Sequence, residues 1–528
     1  MTAASLRRTA SRALLLTHRW LGVVCSLLVV AWFASGLVML YARMPAVDAA
    51  ERLSRLPPVD AATVAITPWE AAVAAELDPA RVRLSTLLGR PAYRLGTGAV
   101  WRTVFADDGE VMDGLDPAEA MAVATRFAPG ARPEHLALLD RPDQWTLQSR
   151  PFLPLHRIAL GDEAGTEIYV SDRTGEVVME TTAATRAWGY AGAVLHWLYF
   201  TPLRSHSPVW SRTVLILSLS VCLLCLSGLL WGAIRIARRG GDGPRSPYSG
   251  LLRWHHYAGL AFGLFAFGWA FSGALSLEPW PWLAGSASPR AAATAVAGGG
   301  LRHDLLTVAA LRSGLDRLGD AGAQVEVVQL LGVPYLLGHR PVRVPTPLAA
   351  RTPYDFLSPV QPLPRRLVSL EDPRAPPLAE LPRLEIEAAA RSTLPRHDVA
   401  DLSWLEDYDA YYYDRHGLAP LPVLRVRFDD PAATWLYLDP GTGTVLRLLE
   451  RRGRLNRWLY HGLHSFDLPY LYRTRPLWDA WMIALLAGGL LVAATSLPGA
   501  WKRLTRRDRY AEAAESPPVT PSQRTETR

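Results

Sequence analysis

Four uncharged apolar runs, 21–41, 213–234, 257–277 and 480–501, decide what this chain can fold into. Each matches the roughly 20 residues that an α-helix needs to cross a bilayer, and a buried soluble helix rarely keeps so long a stretch free of charge. The runs therefore predict an integral membrane α-helical bundle of four transmembrane helices. The first is read as a retained span and not a cleaved signal, because its length suits a span and its sequence recurs later in the chain. Composition agrees: 49% hydrophobic and 20% charged residues exclude a disordered or collagen-like chain.

Flanking arginines set the expected orientation. Arg7, Arg8, Arg12 and Arg19 precede the first span, and Arg235, Arg238, Arg239, Arg245 and Arg253 fill the short link between the second and third. Lys502, Arg503, Arg506, Arg507 and Arg509 follow the fourth. Under the positive-inside rule both termini and that link are cytoplasmic, and two long segments lie outside. The plan reads 1–17 cytoplasmic, 18–42 first span, 43–185 outer domain, 186–204 short apolar helix, 210–235 second span and 236–253 link. It continues 254–278 third span, 279–453 second outer domain, 454–468 short apolar helix, 476–501 fourth span and 502–528 cytoplasmic tail. The net charge of +7 sits beside the apolar runs, with no aromatic-studded stripe, so the expected surface partner is membrane lipid and not nucleic acid.

Cys25, Cys222 and Cys225 all fall in apolar spans, so no disulfide framework supports the outer domains. The Cys222/Cys225 spacing lacks the following His of covalent haem attachment; these are small packing residues.

The chain repeats itself. Residues 18–41 align with 255–278 at an offset of 237, bringing His18, Gly22, Trp32, Ser35 and Gly36 onto His255, Gly259, Trp269, Ser272 and Gly273. Residues 154–210 align with 422–478 at an offset of 268, bringing Arg157, Tyr169, Gly175, His196 and Trp210 onto Arg425, Tyr437, Gly443, His464 and Trp478. Each half reads as span, outer domain, short apolar helix, span: a duplicated two-span plan. The outer domains read as α+β. The stretches 167–178 and 435–446 are strand pairs around a Thr-Gly turn, and Asp116 and Pro68 open short helices. The Pro-rich connection 341–383 is expected as loop, and 286–300 and the tail from about 510 as weakly ordered.

The repeat places histidines in two layers. His18 and His255 stand at the cytoplasmic mouths of the first and third spans; His196 and His464 stand in the short apolar helices near the outer face. A b-type haem needs two axial ligands from facing helices in an apolar slot, and two imidazoles leave no open position, which suits electron transfer. Gly22, Gly36, Gly259, Gly263, Gly268 and Gly273 offer clearance for a flat macrocycle. Two haems, ligated by His18, His255, His196 and His464, would relay an electron across ~30 Å of hydrocarbon. His256 and His461 are neighbours that could replace His255 and His464 or bond a haem carboxylate. His135, His156, His206, His303, His339, His397 and His416 have no duplicated partner and read as locally bonded or solvated. Trp404, Tyr408, Tyr411, Tyr412 and Tyr413 form an aromatic cluster that reads as half-buried strand packing, with an acceptor-facing surface as the other reading.

The HRWLG opening of the first span, its closing Ser35-Gly36, the YVSDRTGEVV turn, the pairs Leu195-His196 and Leu463-His464 and the stretch 407–426 resemble the PepSY-associated transmembrane family. The resemblance covers about 15–500. It implies two extracytoplasmic α+β PepSY-like domains and similarity to iron-regulated inner-membrane ferrisiderophore reductases, which hold two haems within four spans. No GxGxxG nucleotide site follows a strand here, so the donor is expected to be a cytoplasmic flavoreductase or a quinol. The expectation is thus a di-haem conduit of the bacterial inner membrane that reduces a ferric chelate, most simply a ferric siderophore. The alternative is a membrane-anchored PepSY peptide-binding or protease-inhibitory module without redox activity. A transporter would want polar residues mid-span, where these runs have only Ser, Thr and Cys.

Overall fold

The computed structural model describes residues 3–47, 49–237, 246–280, 288–340, 363–414 and 419–515. Arg238, Arg239, Arg245, His416, most of the Pro-rich connection and the last thirteen residues of the expected tail lie outside the described residues.

Among the described residues four helices are long and apolar enough to cross a membrane: TM1 (Ala3–Met39), TM2 (Ser207–Ala237), TM3 (Gly250–Leu275) and TM4 (Arg475–Glu515). TM1 and TM3 sit diagonally, each packed against both TM2 and TM4. Val24, Leu27, Ile216 and Leu264 point outward, 63–75% exposed, and form an apolar belt that water would not tolerate but lipid does. Small residues let the bundle close: a side chain at Gly263 would press on Leu229, and Gly488 and Gly489 receive Phe262 and Phe33.

The outer segments build three antiparallel sheets. β1 (Arg81–Leu87), β2 (Arg90–Thr97) and β3 (Val100–Phe105) come from the first segment. β4 (Glu134–Leu139), β5 (Leu155–Ala159), β6 (Glu167–Ser171) and β7 (Val177–Thr181) form its second sheet. In the second segment, β8 (Gln324–Leu330), β9 (Val333–His339) and β10 (Arg365–Ser369) are followed by β11 (Val399–Leu405), β12 (Val423–Phe428), β13 (Trp435–Leu438) and β14 (Val445–Leu449). β4–β7 and β11–β14 are separate four-stranded sheets, whereas the rest join in one six-stranded sheet, β10-β9-β8-β1-β2-β3. The join is β1 on β8, with Arg83, Leu84 and Ser85 opposite Glu326, Val325 and Gln324. The two outer segments therefore share a sheet and one core, in which Leu84, Tyr93, Leu95 and Val104 meet Leu311, Leu315, Val325 and Leu336.

One helix covers each four-stranded sheet. Pro117–Phe127, opened by an Asp116/Glu119 capping box, lays Ala120, Ala124 and Phe127 on Ile158, Ile168 and Val170. Arg383–Ser392 lays Ile386, Ala389 and Ala390 on Leu424, Val426 and Leu436. Each fully buried Ile or Leu contributes about 1.5–3 kcal/mol. Both Thr-Gly turns form as expected, with Gly175 and Gly443 at φ +62° and +68°, the left-handed region glycine enters without strain.

Three expectations are corrected. The connection 341–383 is not all loop, since it holds β10, paired with β9. Within 286–300 the chain is not weakly ordered: Pro289–Ala297 is a helix capped by Ser288, because Ala292 and Val296 find a buried face. Of the aromatic cluster, Trp404 lies in β11, where its Nε1–H donates to Glu387, whereas the tyrosines lie in the loop beyond Leu405 and still pack: Tyr412 stacks on Tyr437 and Tyr413 on Tyr472.

Candidate functional site

The short apolar helices are not regular. Ala183–Gly189 widens into a π-helical turn at Tyr190–Val194 before Leu195–Trp197, and the chain leaves through Leu198 at φ +53°. Arg451–Arg457 does the same through Trp458–Gly462 and leaves by Phe466 at φ +49°. Extra residues in a helical turn swing the following side chains, a device common at functional sites. Here they deliver His196 beside TM1 and His464 beside TM3.

The four duplicated histidines form two pairs. The rings of His18 and His255 have centroids 6.1 Å apart, and those of His196 and His464 are 6.2 Å apart. From His18 to Ser35, which touches His196, TM1 climbs about 25 Å at about 1.5 Å per residue. Each pair thus draws one ring from the TM1 side and one from the TM3 side, at two levels of the bundle.

The hydrogen bonds fix the tautomers. His18 Nδ1–H donates to the Leu224 carbonyl at 3.1 Å and His255 Nδ1–H to the Val492 carbonyl at 3.0 Å. His196 Nδ1–H donates to the Trp32 carbonyl, also at 3.1 Å. A carbonyl only accepts, so the proton must sit on Nδ1 in all three. Ser35 and Ser272 complete the outer pair. Each hydroxyl donates to its own helix, to Trp32 and to Gly268 respectively, and so offers its oxygen to Nδ1 of His196 at 3.1 Å and of His464 at 3.0 Å. His18, His255 and His196 therefore keep Nε2 as the basic nitrogen, the arrangement that metal-ligating histidines show when an outer partner holds their other nitrogen.

A metal test follows from the distances. Two metal–nitrogen bonds of about 2 Å each, with each ring centroid roughly 1 Å beyond its nitrogen, place opposed imidazole centroids about 6 Å apart. Both pairs meet that spacing. Among the described residues no group of three or more His, Cys, Asp and Glu side chains gathers to hold an ion. Two imidazoles with nothing else from the chain suit a metal whose remaining ligands come from a macrocycle. A cavity of about 490 Å³ opens beside the outer pair, walled by Trp32, Phe33, Trp269, Leu486, Gly36 and Gly273.

The expected clearance glycines divide. A side chain at Gly36 would stand 3.5 Å from His196, and one at Gly273 would stand 3.8 Å from His464, so these two flank the rings. Gly22 and Gly263 pack on leucines, and Gly259 and Gly268 face open space. Gly228 was not legible in advance: a side chain there would stand 2.6 Å from His18. The alternatives to the ligands are otherwise engaged. His256 bonds Ser246 through Nδ1 and the Gly232 carbonyl through Nε2, while His461 lies against Tyr460, centroids 4.6 Å apart. His135 and His156 bond each other at 3.0 Å and His156 reaches Asp172; His206, His303 and His397 have local partners. The three cysteines are free, and Cys25 and Cys222 are buried between the two levels with Val221 and Ala270.

Residues 15–305, more than half of the chain, match the PepSY-associated TM region family. The chain belongs to that family. The match takes in TM1, the first outer segment, TM2 and TM3, and with them three of the four paired histidines. No curated protein matches the chain.

Proposed function

We propose that this family member is a transmembrane electron conduit of the bacterial inner membrane, a ferric-chelate reductase in reaction type. His18 and His255 would hold an inner b-type haem, and His196 and His464 an outer one. When bound, such a group would supply a one-electron centre, and two imidazoles would leave it no open position. The residues do the rest. Leu224 and Val492 carbonyls hold the inner rings, and Ser35, Ser272 and the Trp32 carbonyl hold the outer ones, each through Nδ1, so that Nε2 would be the atom that holds the metal. Apolar side chains such as Phe33 and Leu486 wall the outer pair, and a second level would shorten a path of ~30 Å that one centre would not cover.

Electrons would come from a cytoplasmic flavoreductase or a quinol and leave to a ferric chelate outside, most simply a ferric siderophore. Fe(III) prefers hard oxygen ligands, so reduction to Fe(II) loosens the chelate and frees iron. The arginines beside the spans support cytoplasmic termini and two PepSY-like domains in the periplasm. Matched tautomer partners at Leu224 and Val492, and at Ser35 and Ser272, support the duplicated plan.

The observation that carries this reading is the two histidine pairs at 6.1 and 6.2 Å with all their Nδ1 atoms held by the chain. An absorption spectrum with haem quantitation of protein purified after haem supply tests it. The expected result is a reducible b-type spectrum and about two haems per chain. Colourless protein would overturn it and leave a membrane-anchored peptide-binding module.

A further inference from the structure

A cavity of about 200 Å³ opens in the first outer segment between β1, β2, the Pro117–Phe127 helix and the start of β7. Its charged lining among the described residues is Arg52, Arg55, Arg94, Arg126 and Glu176. A wider cleft of about 660 Å³ adjoins it, sharing Arg55 and Arg126 and adding one acid, Asp60.

The floor is buried and short of negative charge. Arg94 is 2% exposed; it donates Nε to the Thr174 carbonyl at 2.7 Å and Nη1 to the Ser85 hydroxyl. Its carboxylate neighbour is Glu176 at 3.9 Å, but Glu176 already accepts from Arg52 at 3.1 Å and from Arg83 at 3.0 Å. Glu326 faces Arg83 and Arg81 from β8 and is not part of the lining. Arg52 and Arg94 thus share Glu176 with Arg83, which Glu326 also faces, so the lining keeps an excess of positive charge where buried charges are normally matched. Burial first, then repulsion from Arg83 and Arg52, pulls the Arg94 pKa down to about 10 against the opposing pull of Glu176.

The fold does not require these charges, because the second segment builds the same corner without them. Both hairpins turn through a left-handed Leu-Gly, Leu88-Gly89 and Leu331-Gly332. In each, the glycine of the Thr-Gly turn presses on the leucine before that pair, Gly175 on Leu87 and Gly443 on Leu330. At the position of Arg94, counted from the hairpin glycine, β9 carries Leu337, an apolar core residue 4% exposed. At the position of Glu176, the second segment carries Thr444, which is exposed.

We propose that this cavity is a binding site for a small oxyanion, a phosphate or carboxylate group that passes Arg126 and Arg55 and seats against Arg94 and Arg52. The anion supplies the negative charge the floor lacks, and Arg forks suit planar or tetrahedral oxyanions. The site stands apart from the histidine pairs and does not depend on what they hold.

Calorimetric titration of the full chain in detergent with inorganic phosphate, and separately with citrate, tests the proposal. Saturable binding of at least one probe, weakened as sodium chloride rises, is expected, and the probe that binds identifies the group. Arg126→Ala removes one charge-assisted bond and should weaken binding about tenfold. Arg94→Leu, which copies the second segment, should abolish it with the melting transition retained; if that variant fails to fold, Arg126→Ala carries the test. No saturable binding of either probe at millimolar concentration, or affinity unchanged in Arg126→Ala, would overturn the site.

Discussion

Gly228→Ala is the sharpest probe of the inner pair, because it adds one methyl group where His18 lies. That carbon would stand 2.6 Å from His18 Cε1 and 2.8 Å from its Nδ1, while ordinary contact begins near 3.4 Å. The ring must then retreat by about 0.8 Å or swing off its rotamer. Retreat stretches the 3.1 Å bond to the Leu224 carbonyl past hydrogen-bonding range, a loss of about 1 kcal/mol. The off-rotamer ring costs about another 1 kcal/mol. Together, about 2 kcal/mol is a roughly 30-fold loss of affinity at the inner site. Alanine in place of a mid-helix glycine otherwise favours the helix by about 0.5–1 kcal/mol, so general unfolding is not the expected route. Gly36→Ala is the control: its added carbon meets His196 at 3.5 Å and Leu486 at 3.4 Å, both ordinary contacts. Haem per chain and the reduced-minus-oxidised spectrum read the outcome, with a melting curve to confirm the fold. Gly228→Ala should drop towards one haem while Gly36→Ala keeps two. Full occupancy and an unaltered spectrum in Gly228→Ala, or an equal loss in Gly36→Ala, would refute the packing argument.

The ligand pairs should separate genetically. His18→Ala is expected to lose the inner centre and keep the outer one reducible by a soluble reductant added outside, with His464→Ala doing the reverse; loss of both haems in either folded variant would break the two-level assignment. Cysteines placed at Asp107 and Asp429 should react with an impermeant thiol reagent from the periplasmic side of intact spheroplasts, and labelling from the cytoplasmic side would invert the topology. Burial, then the charge on His156, holds His135 below its ordinary 6.5. The unfolded chain therefore takes up that proton first, and the stability this group contributes falls as pH drops below about 6.5. Melting curves across that window should flatten in His135→Asn, and an unchanged slope would remove His135 as the cause.

The spans and the four paired histidines could be read from sequence because both rest on residue type and spacing. Uncharged runs announce membrane helices, and a histidine that recurs at a fixed offset singles itself out. The Thr-Gly turns and the Asp116 cap were legible for the same reason. The Nδ1 partners were not, since Leu224 and Val492 act through backbone carbonyls that every residue owns. Gly228 hid among several span glycines; only the approach of His18 from another helix distinguishes it. The π-helical turns carry no compositional mark, and their sequences read as ordinary apolar helix. The helix at Pro289–Ala297 was missed because Ala- and Gly-rich composition says nothing of a distant face waiting to bury Val296.

The pairing of β1 with β8 has a consequence for how the chain is made. β1 is complete early in synthesis, but its partner follows two membrane crossings later. Until residues 324–330 have been made, β1 offers a bare row of backbone donors and acceptors, the kind of edge that recruits wrong strands. A ribosome that stops after TM2, or a third span that fails to insert, leaves that edge open. Such half-products carry an exposed mark that proteases and chaperones can read. Fragments ending near residue 237 should accordingly be short-lived in cells, and co-expression of the missing half should extend their lifetime.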